Sequence, residues 1–390
     1  MSGRPLTTRG TLCLCAALVL GIVANVFAAP VLVYVAVLLV ALVLGAALVV
    51  HAPRRRGEVQ RHIATDLLTV GATSRVTVQA RVRPAPHARW RDQLPRAVSG
   101  VAEGEFTAGA QVQYELTGVR RGISVLGPFS LSTVDPFGLA QREQSFGDTR
   151  TITVVPETVA LTPLPVALGA AGGSAQSRSS RLGQGSDDLT PRVYSAGDSM
   201  RRIHWRATAH RGDLMVRQEE DESSPEALIV LDRAASRWAR PDEEDQDPLF
   251  ETAVSLCASA ALRLERDGYS VVVIDSAGVV LGTLRGQEDE RIGLLVTLAS
   301  VRPQGNPKEL GALIGGAPPG PLTVITGAVD EEHAVRMRTA GAALPLLFTT
   351  SPSAQRMAAD VGWHSAVITN ESEVSDLWDG VLPAARMHRA

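Results

Sequence analysis

Cysteine is scarce. Cys13, Cys15 and Cys257 are the only three in 390 residues, which excludes a disulfide scaffold and a four-cysteine zinc site. Lysine is scarcer still. Arginine outnumbers it 37 to 1, Lys308 stands alone, and no Gly-Lys-Ser/Thr occurs, so there is no phosphate-binding P-loop. His-Glu-x-x-His, Gly-x-Ser-x-Gly and Cys-x-x-Cys are missing as well, and with them the commonest hydrolase and redox signatures. Acid is absent from one stretch: residues 1–53 carry Arg4 and Arg9 and no carboxylate. The remaining 36 basic and 41 acidic residues leave that part at −5, which argues against a generic polyanion binder. Hydrophobic residues at 45% and charged residues at 20% are ordinary, so wholesale disorder is excluded. The length suggests two or three structural units.

Two uncharged runs open the chain, residues 10–29 and 31–50. Each is long enough for a helix to cross the hydrocarbon core. With only Pro30 between them, they predict a tight transmembrane hairpin over residues 1–53. A cleaved signal peptide would have one shorter apolar core, and no apolar region precedes Cys15 to make it a lipidation site. Asn25 is the one strongly polar side chain, and a hydrogen bond to the partner helix is expected for it. Arg4 and Arg9 precede the hairpin, and Arg54, Arg55, Arg56 and Arg61 follow it. Positive flanks stay inside. The expectation is a two-span inner or plasma membrane protein with both termini cytoplasmic and the lipid bilayer as its first partner.

Residues 54–165 read as a β-sandwich-like domain. Val76, Val78, Ala80 and Val82 alternate with polar residues over 73–83. Val112, Tyr114 and Leu116 repeat the pattern, and 151–155 look like another strand. Gly127-Pro128 and residues 135–138 (DPFG) read as turns. Residues 166–190, rich in Gly, Ser and Ala, read as a flexible linker or loop.

Residues 191–226 form an unusual polar segment. Six arginines, His204, His210, Tyr194 and Trp205 fall between 192 and 217, and Glu219, Glu220, Asp221, Glu222 and Glu226 follow. Internal pairing with those acids, docking of a partner, and binding of an anion or nucleic acid are the three readings open to it. The pattern Arg192, Tyr194, Gly197, Asp198, Arg201, Ile203, Trp205, Ala209, Leu214, Val216 resembles the signature of the domain-of-unknown-function family 58. The upstream VRRGISVLGP and DPFGL of residues 119–139 resemble the same family, whereas His210 stands where arginine is expected. The signature residues are read as a partner-binding site or a structural brace. The resemblance implies a bacterial protein whose partners are a MoxR-type AAA+ ATPase and a membrane transglutaminase-like protein. That makes a scaffold or adaptor in cell-envelope or stress-related assembly the expected role.

From residue 227 the pattern changes to α/β. Residues 227–232, 270–275, 322–327, 344–350 and 365–369 are short apolar runs suited to strands buried on both faces. Helices intervene, one starting at Asp247-Pro248 with a stripe of Leu249, Ala253, Leu256, Ala260 and Leu264 beside Cys257. A parallel, doubly wound sheet over 227–390 is predicted. Its first strand ends in Asp232-Arg233-Ala234-Ala235-Ser236, which resembles the start of a von Willebrand factor A-like domain. There the resemblance implies Mg²⁺ or Mn²⁺ on an Asp-x-Ser-x-Ser motif. Asp232 and Ser236 are the metal candidates, with Asp275 or Asp330 as a further carboxylate. The motif is degenerate, because Ala234 cannot ligate and Arg233 adds positive charge. The acid-rich loop 241–247 reads as a solvated loop or a docking face. No catalytic residue is assigned and no nucleic acid is expected. The alternatives are a metal-dependent hydrolase at Asp232, or a binder of anionic lipid or nucleic acid through the arginine-rich segment.

Overall fold

A computed structural model describes residues 5–51, 58–81, 88–107, 111–147, 149–165, 191–194, 203, 205–217, 225–238, 247–305, 310–315, 319–329, 342 and 344–382. The chain divides into two compact units, Met1–Glu157 with Leu295–Val301, and Thr158–Leu294 with Arg302–Ala390. The linker 166–190, most of the acidic loop and Asp330 lie outside the described residues.

The first unit opens with two apolar helices, α1 (Thr8–Val26) and α2 (Pro30–His51). Thr7 starts α1 by accepting a hydrogen bond from the Gly10 N–H through its hydroxyl. Pro30 starts α2 at a position where its missing N–H costs nothing. The link is residues 27–29 rather than Pro30 alone. It closes because Phe27 and Ala29 donate back to the carbonyls of Val23 and Ala24, while Ala28 takes a left-handed φ of 48°. The helices are 19 and 22 residues long, about 28 and 33 Å at 1.5 Å per residue. Both are long and apolar enough to cross a membrane, and only 17% and 22% of the two spans is buried. A core helix of a soluble protein would bury most of its apolar surface, whereas Leu12, Leu18, Leu38, Leu44 and Leu48 are all exposed. Asn25 is also exposed, in a groove with Ala17, Gly21 and Val40. Among the described residues it makes no hydrogen bond to α2, so the bond expected across the hairpin is not formed within this chain.

Eleven strands follow: β1 (Glu58–Ile63), β2 (Leu67–Thr69), β3 (Thr73–Arg81), β4 (Ala88–Asp92), β5 (Val98–Ser99), β6 (Glu103–Phe106), β7 (Gln111–Gly118), β8 (Gly122–Leu126), β9 (Phe129–Val134), β10 (Gln141–Phe146) and β11 (Arg150–Val155). They make three sheets, in orders β1-β3-β7-β5, β10-β9-β4-β6 and β2-β11-β8. All pairings are antiparallel except β2–β11. Strict alternation of buried and exposed residues in β1, β4 and most of β7 aims one face of each inward. Side chains from all three sheets converge on one core that includes Val76, Val78, Trp90, Leu116, Leu126, Phe129 and Ile152. Inside it, the Arg61 guanidinium donates to both Asp92 oxygens at 2.8 and 3.1 Å, and the Tyr114 hydroxyl donates to the same carboxylate.

The second unit holds a two-stranded ribbon, β12 (Pro191–Val193) with β13 (Met215–Arg217), and the short α3 (Trp205–Arg211) between them. The main sheet comprises β14 (Glu226–Leu231), β15 (Ser270–Asp275), β16 (Val280–Leu284), β17 (Pro321–Thr326), β18 (Leu344–Thr349) and β19 (His364–Val367). Its order is β16-β15-β14-β17-β18-β19. Counted within the unit this is 3-2-1-4-5-6, with the chain reversing direction across the sheet between β14 and β17. The five strands marked by the apolar runs are parallel, and a sixth that those runs did not mark, β16, is antiparallel. The reason is the link. Only residues 276–279 join β15 to β16, enough for a hairpin but not for a crossover.

The remaining helices are α4 (Pro248–Arg266), α5 (Glu288–Ser300), α6 (Leu310–Ile314), α7 (Pro352–Asp360) and α8 (Val374–Val381). Asp247 caps α4 by accepting from the N–H groups of Leu249 and Phe250. Leu228, Val230, Leu322, Val324 and Leu347 pack with α6 and α7 residues on one face of the sheet. Phe348 points the other way and stacks on Trp378 of α8. Every residue of β17 and β18 is buried, as expected for central strands covered on both faces.

Candidate functional site

In an open α/β sheet, ligands lie beyond the carboxyl ends of the strands where the order reverses. Here that place is the end of β14 beside the end of β17. Asp232 follows β14 directly and is fully buried. Its Oδ1 accepts from the Ala234 N–H at 3.0 Å. Its Oδ2 accepts from Arg237 Nη1 at 2.6 Å and from the Thr326 hydroxyl at 2.7 Å. Its backbone carbonyl accepts from the Trp238 indole N–H at 2.9 Å. A short 3₁₀ turn, Ala235–Arg237, folds the guanidinium back onto the carboxylate, and Arg237 is itself buried.

A second pair lies alongside. Arg233 Nη1 donates to Asp275 Oδ2 at 3.1 Å, and the Arg233 N–H donates to the Ser276 hydroxyl at 3.2 Å. Asp275 Oδ1 accepts from the N–H groups of Ala277 and Val279, so this carboxylate organises the β15–β16 turn. Gly327 allows the close approach behind the loop. A side chain there would overlap the Arg237 carbonyl oxygen, and that oxygen accepts from the Ala328 N–H at 2.6 Å.

These donors do not fit a divalent cation. Both Asp232 oxygens are engaged by the chain's own groups, one by a full positive charge. Ala234 presents a methyl group where a hydroxyl ligand is needed, and Ser236 is exposed. Among the described residues no group of three or more His, Cys, Asp or Glu is placed to hold a metal. Cys257 is fully buried on α4, and burial pushes its thiol up to about 12. It therefore stays protonated at neutral pH and is no thiolate nucleophile.

Residues 190–343 match the family described as a protein of unknown function, DUF58. The DUF58 match runs from the ribbon through β17 and takes in the whole strand-end site. No curated protein matches the chain. Two solved structures are similar over parts of it. The PKD domain of an M14-like peptidase from Thermoplasmatales archaeon SCGC AB-540-F20 is 16% identical, over 25% of this chain and 91% of that one, with a TM-score of 0.20. The tandem Ig repeats of Dlar are 12% identical, over 46% of this chain and 60% of that one, with a TM-score of 0.15. Neither likeness carries weight for fold or function.

Within the DUF58-matched region, Arg192 lies on β12 opposite Val216. Tyr194 is half-buried and its N–H donates to the Leu214 carbonyl at 2.7 Å. Gly197, Asp198 and Arg201 lie outside the described residues, as does His204. Trp205, at the start of α3, is 70% exposed, so its indole is not part of a buried brace. Arg206, His210 and Arg211 are exposed on the same helix, while Ile203 and Met215 are buried beneath the segment. Sequence reasoning found Asp232 but missed Arg237. The available signal was an arginine five residues after the strand-ending aspartate, in a loop where two hydroxyls had been expected.

Proposed function

We propose that the chain is a membrane-tethered protein-interaction scaffold or adaptor. The observation that carries this reading is the strand-end site, which is closed by its own side chains. Asp232 is neutralised by Arg237, and among the described residues no nucleophile with a positioned base stands beside it. Elsewhere in the same unit, an aromatic and three basic side chains of α3 face solvent. Exposed Trp and Arg are the residue types that anchor protein interfaces. The sheet order with its antiparallel third strand supports a von Willebrand factor A-like reading of this unit. The apolar hairpin supports attachment to a cytoplasmic membrane. The family resemblance supports a MoxR-type AAA+ ATPase as the partner, with a membrane transglutaminase-like protein as a further member of the assembly.

The test is affinity capture of the full chain from gently solubilised membranes with ATP present, read by mass spectrometry. An AAA+ ATPase recovered with the parent chain, and reduced at least fivefold by Trp205→Ala with Arg211→Ala, is the expected outcome. No stoichiometric ATPase, repeated after crosslinking, would overturn the adaptor reading and turn attention to anionic lipid as the ligand of α3.

A further inference from the structure

The turn between β9 and β10, residues 135–140, is built to be rigid. The Asp135 carboxylate accepts from the N–H groups of Phe137, Leu139 and Ala140 at 2.8, 2.6 and 2.6 Å. The turn sits against the base of the α1–α2 hairpin. The Thr7 N–H donates to the Leu139 carbonyl at 3.0 Å, and the Thr7 hydroxyl reaches the Gly138 carbonyl. Leu6 and Ala140 form a β-bridge. Gly10, the first residue of the uncharged run, has no room for a side chain because the Leu139 carbonyl fills that space. On the other helix, Arg142 Nη1 donates to the His51 carbonyl at 3.0 Å.

Leu139 and Ala140 are buried with Leu6, Cys13 and Leu14 before and in α1, and with Val43, Ala46, Ala47 and Val50 in α2. The turn thus lies at the first turn of α1, with β10 at the last turn of α2, where the two uncharged runs begin and end. Interfacial elements lie in a bilayer at this headgroup–acyl boundary. Phe137, at the tip of this turn, is 64% exposed. The side chain of Arg9, also exposed, runs beside Gly138 at the same level.

We propose that residues 135–140 are a second membrane-contact element, with the Phe137 ring inserted at the headgroup–acyl boundary and Arg9 beside the lipid phosphates. The occupant is lipid because the apolar surface of the turn is continuous with that of the two helices. The proposal rests on reading α1 and α2 as a membrane hairpin. The β-rich part of the first unit is then held to the bilayer surface by a contact of its own.

The test uses the full chain in nanodiscs of phosphatidylcholine and phosphatidylglycerol. Phe137→Cys and, separately, Leu38→Cys are made with Cys13, Cys15 and Cys257 changed to alanine. Each is labelled with an environment-sensitive fluorophore and quenched by lipids spin-labelled at the headgroup or deep in the acyl chain. At position 137, headgroup quenching at least twofold stronger than deep quenching is expected, with the reverse at 38. Quenching at 137 by aqueous iodide alone, with lipid quenching intact at 38, overturns the proposal and leaves the hairpin standing. Loss of lipid quenching at 38 overturns the hairpin reading itself. Because Cys13 packs beside the turn, a photoreactive benzoyl-phenylalanine at position 137 of the otherwise unaltered chain provides a second readout. Lipid adducts support insertion, and adducts confined to protein count against it.

Discussion

Two of the buried carboxylates, Asp92 and Asp232, are each paired with an arginine and accept from a hydroxyl. In the first unit Asp92 takes Arg61 and Tyr114, with the side chains of Asp92 and Arg61 both inaccessible. Burial, and then the adjacent Asp92 charge, push the Tyr114 phenol well above its ordinary range, so the hydroxyl remains a donor. In the second unit Asp232 takes Arg237 and Thr326. A buried ion pair adds little net stability, but removing one partner strands the other charge, at a cost of about 3–5 kcal/mol. Arg237→Ala should therefore destabilise the second unit by about that amount. The readout is hydrogen exchange of β14 and β17 under increasing urea in the full chain. Replacing both partners, Asp232→Asn with Arg237→Met, should recover most of the loss. A single-substitution cost below about 1 kcal/mol would place the pair among solvent-screened bridges and refute the account of a closed site.

Elements were legible where one periodicity dominated. The alternation of Val76, Val78 and Ala80 marks β3, and the unbroken apolar runs mark β14, β17 and β18, because these strands bury one face or both. β2 and β16 were not legible. Three residues are too few to show a period in β2, and the Gly282-Thr283 step in β16 reads as a loop until β15 pairs with it. Glycine marks where elements approach most closely. The Arg237 carbonyl stands where a Gly327 side chain would be, and Trp238 lies just behind it. Gly327→Ala should push the 233–238 loop off the end of β17, costing about 1–3 kcal/mol as an overpacked contact between backbones. Amide exchange in residues 233–238 should quicken at least tenfold while exchange in α4 stays unchanged. An unaltered loop would mean the backbone there yields more easily than the close packing implies.

At the scale of the whole molecule, the sequence located a strand-end aspartate but not the charge that closes it. Arg237 is five residues along the chain from Asp232 and meets it only through a 3₁₀ turn that no periodicity announces. Arg61 carries a similar lesson for topology. It had counted among the cations flanking the hairpin, yet it is spent inside the first unit on Asp92, so it cannot face anionic lipid. Orientation then rests on Arg4 and Arg9 before the spans and Arg54, Arg55 and Arg56 after them. The geometry adds an independent constraint. The β9–β10 turn docks at Thr7, and Arg142 of β10 docks at His51, the base ends of the two helices, so β1–β11 lie on the side of both helix bases. Loops rich in arginine stay cytoplasmic, so the cytoplasm is the expected side for these strands. Fusions of a fluorescent protein and of an export-dependent phosphatase after residue 390 should therefore give fluorescence and no phosphatase activity. A phosphatase fused at Ala28, in the tip of the hairpin, should be active. An active phosphatase at the C-terminus would reverse the orientation, put the second unit outside the cytoplasm, and remove any cytoplasmic ATPase from its reach.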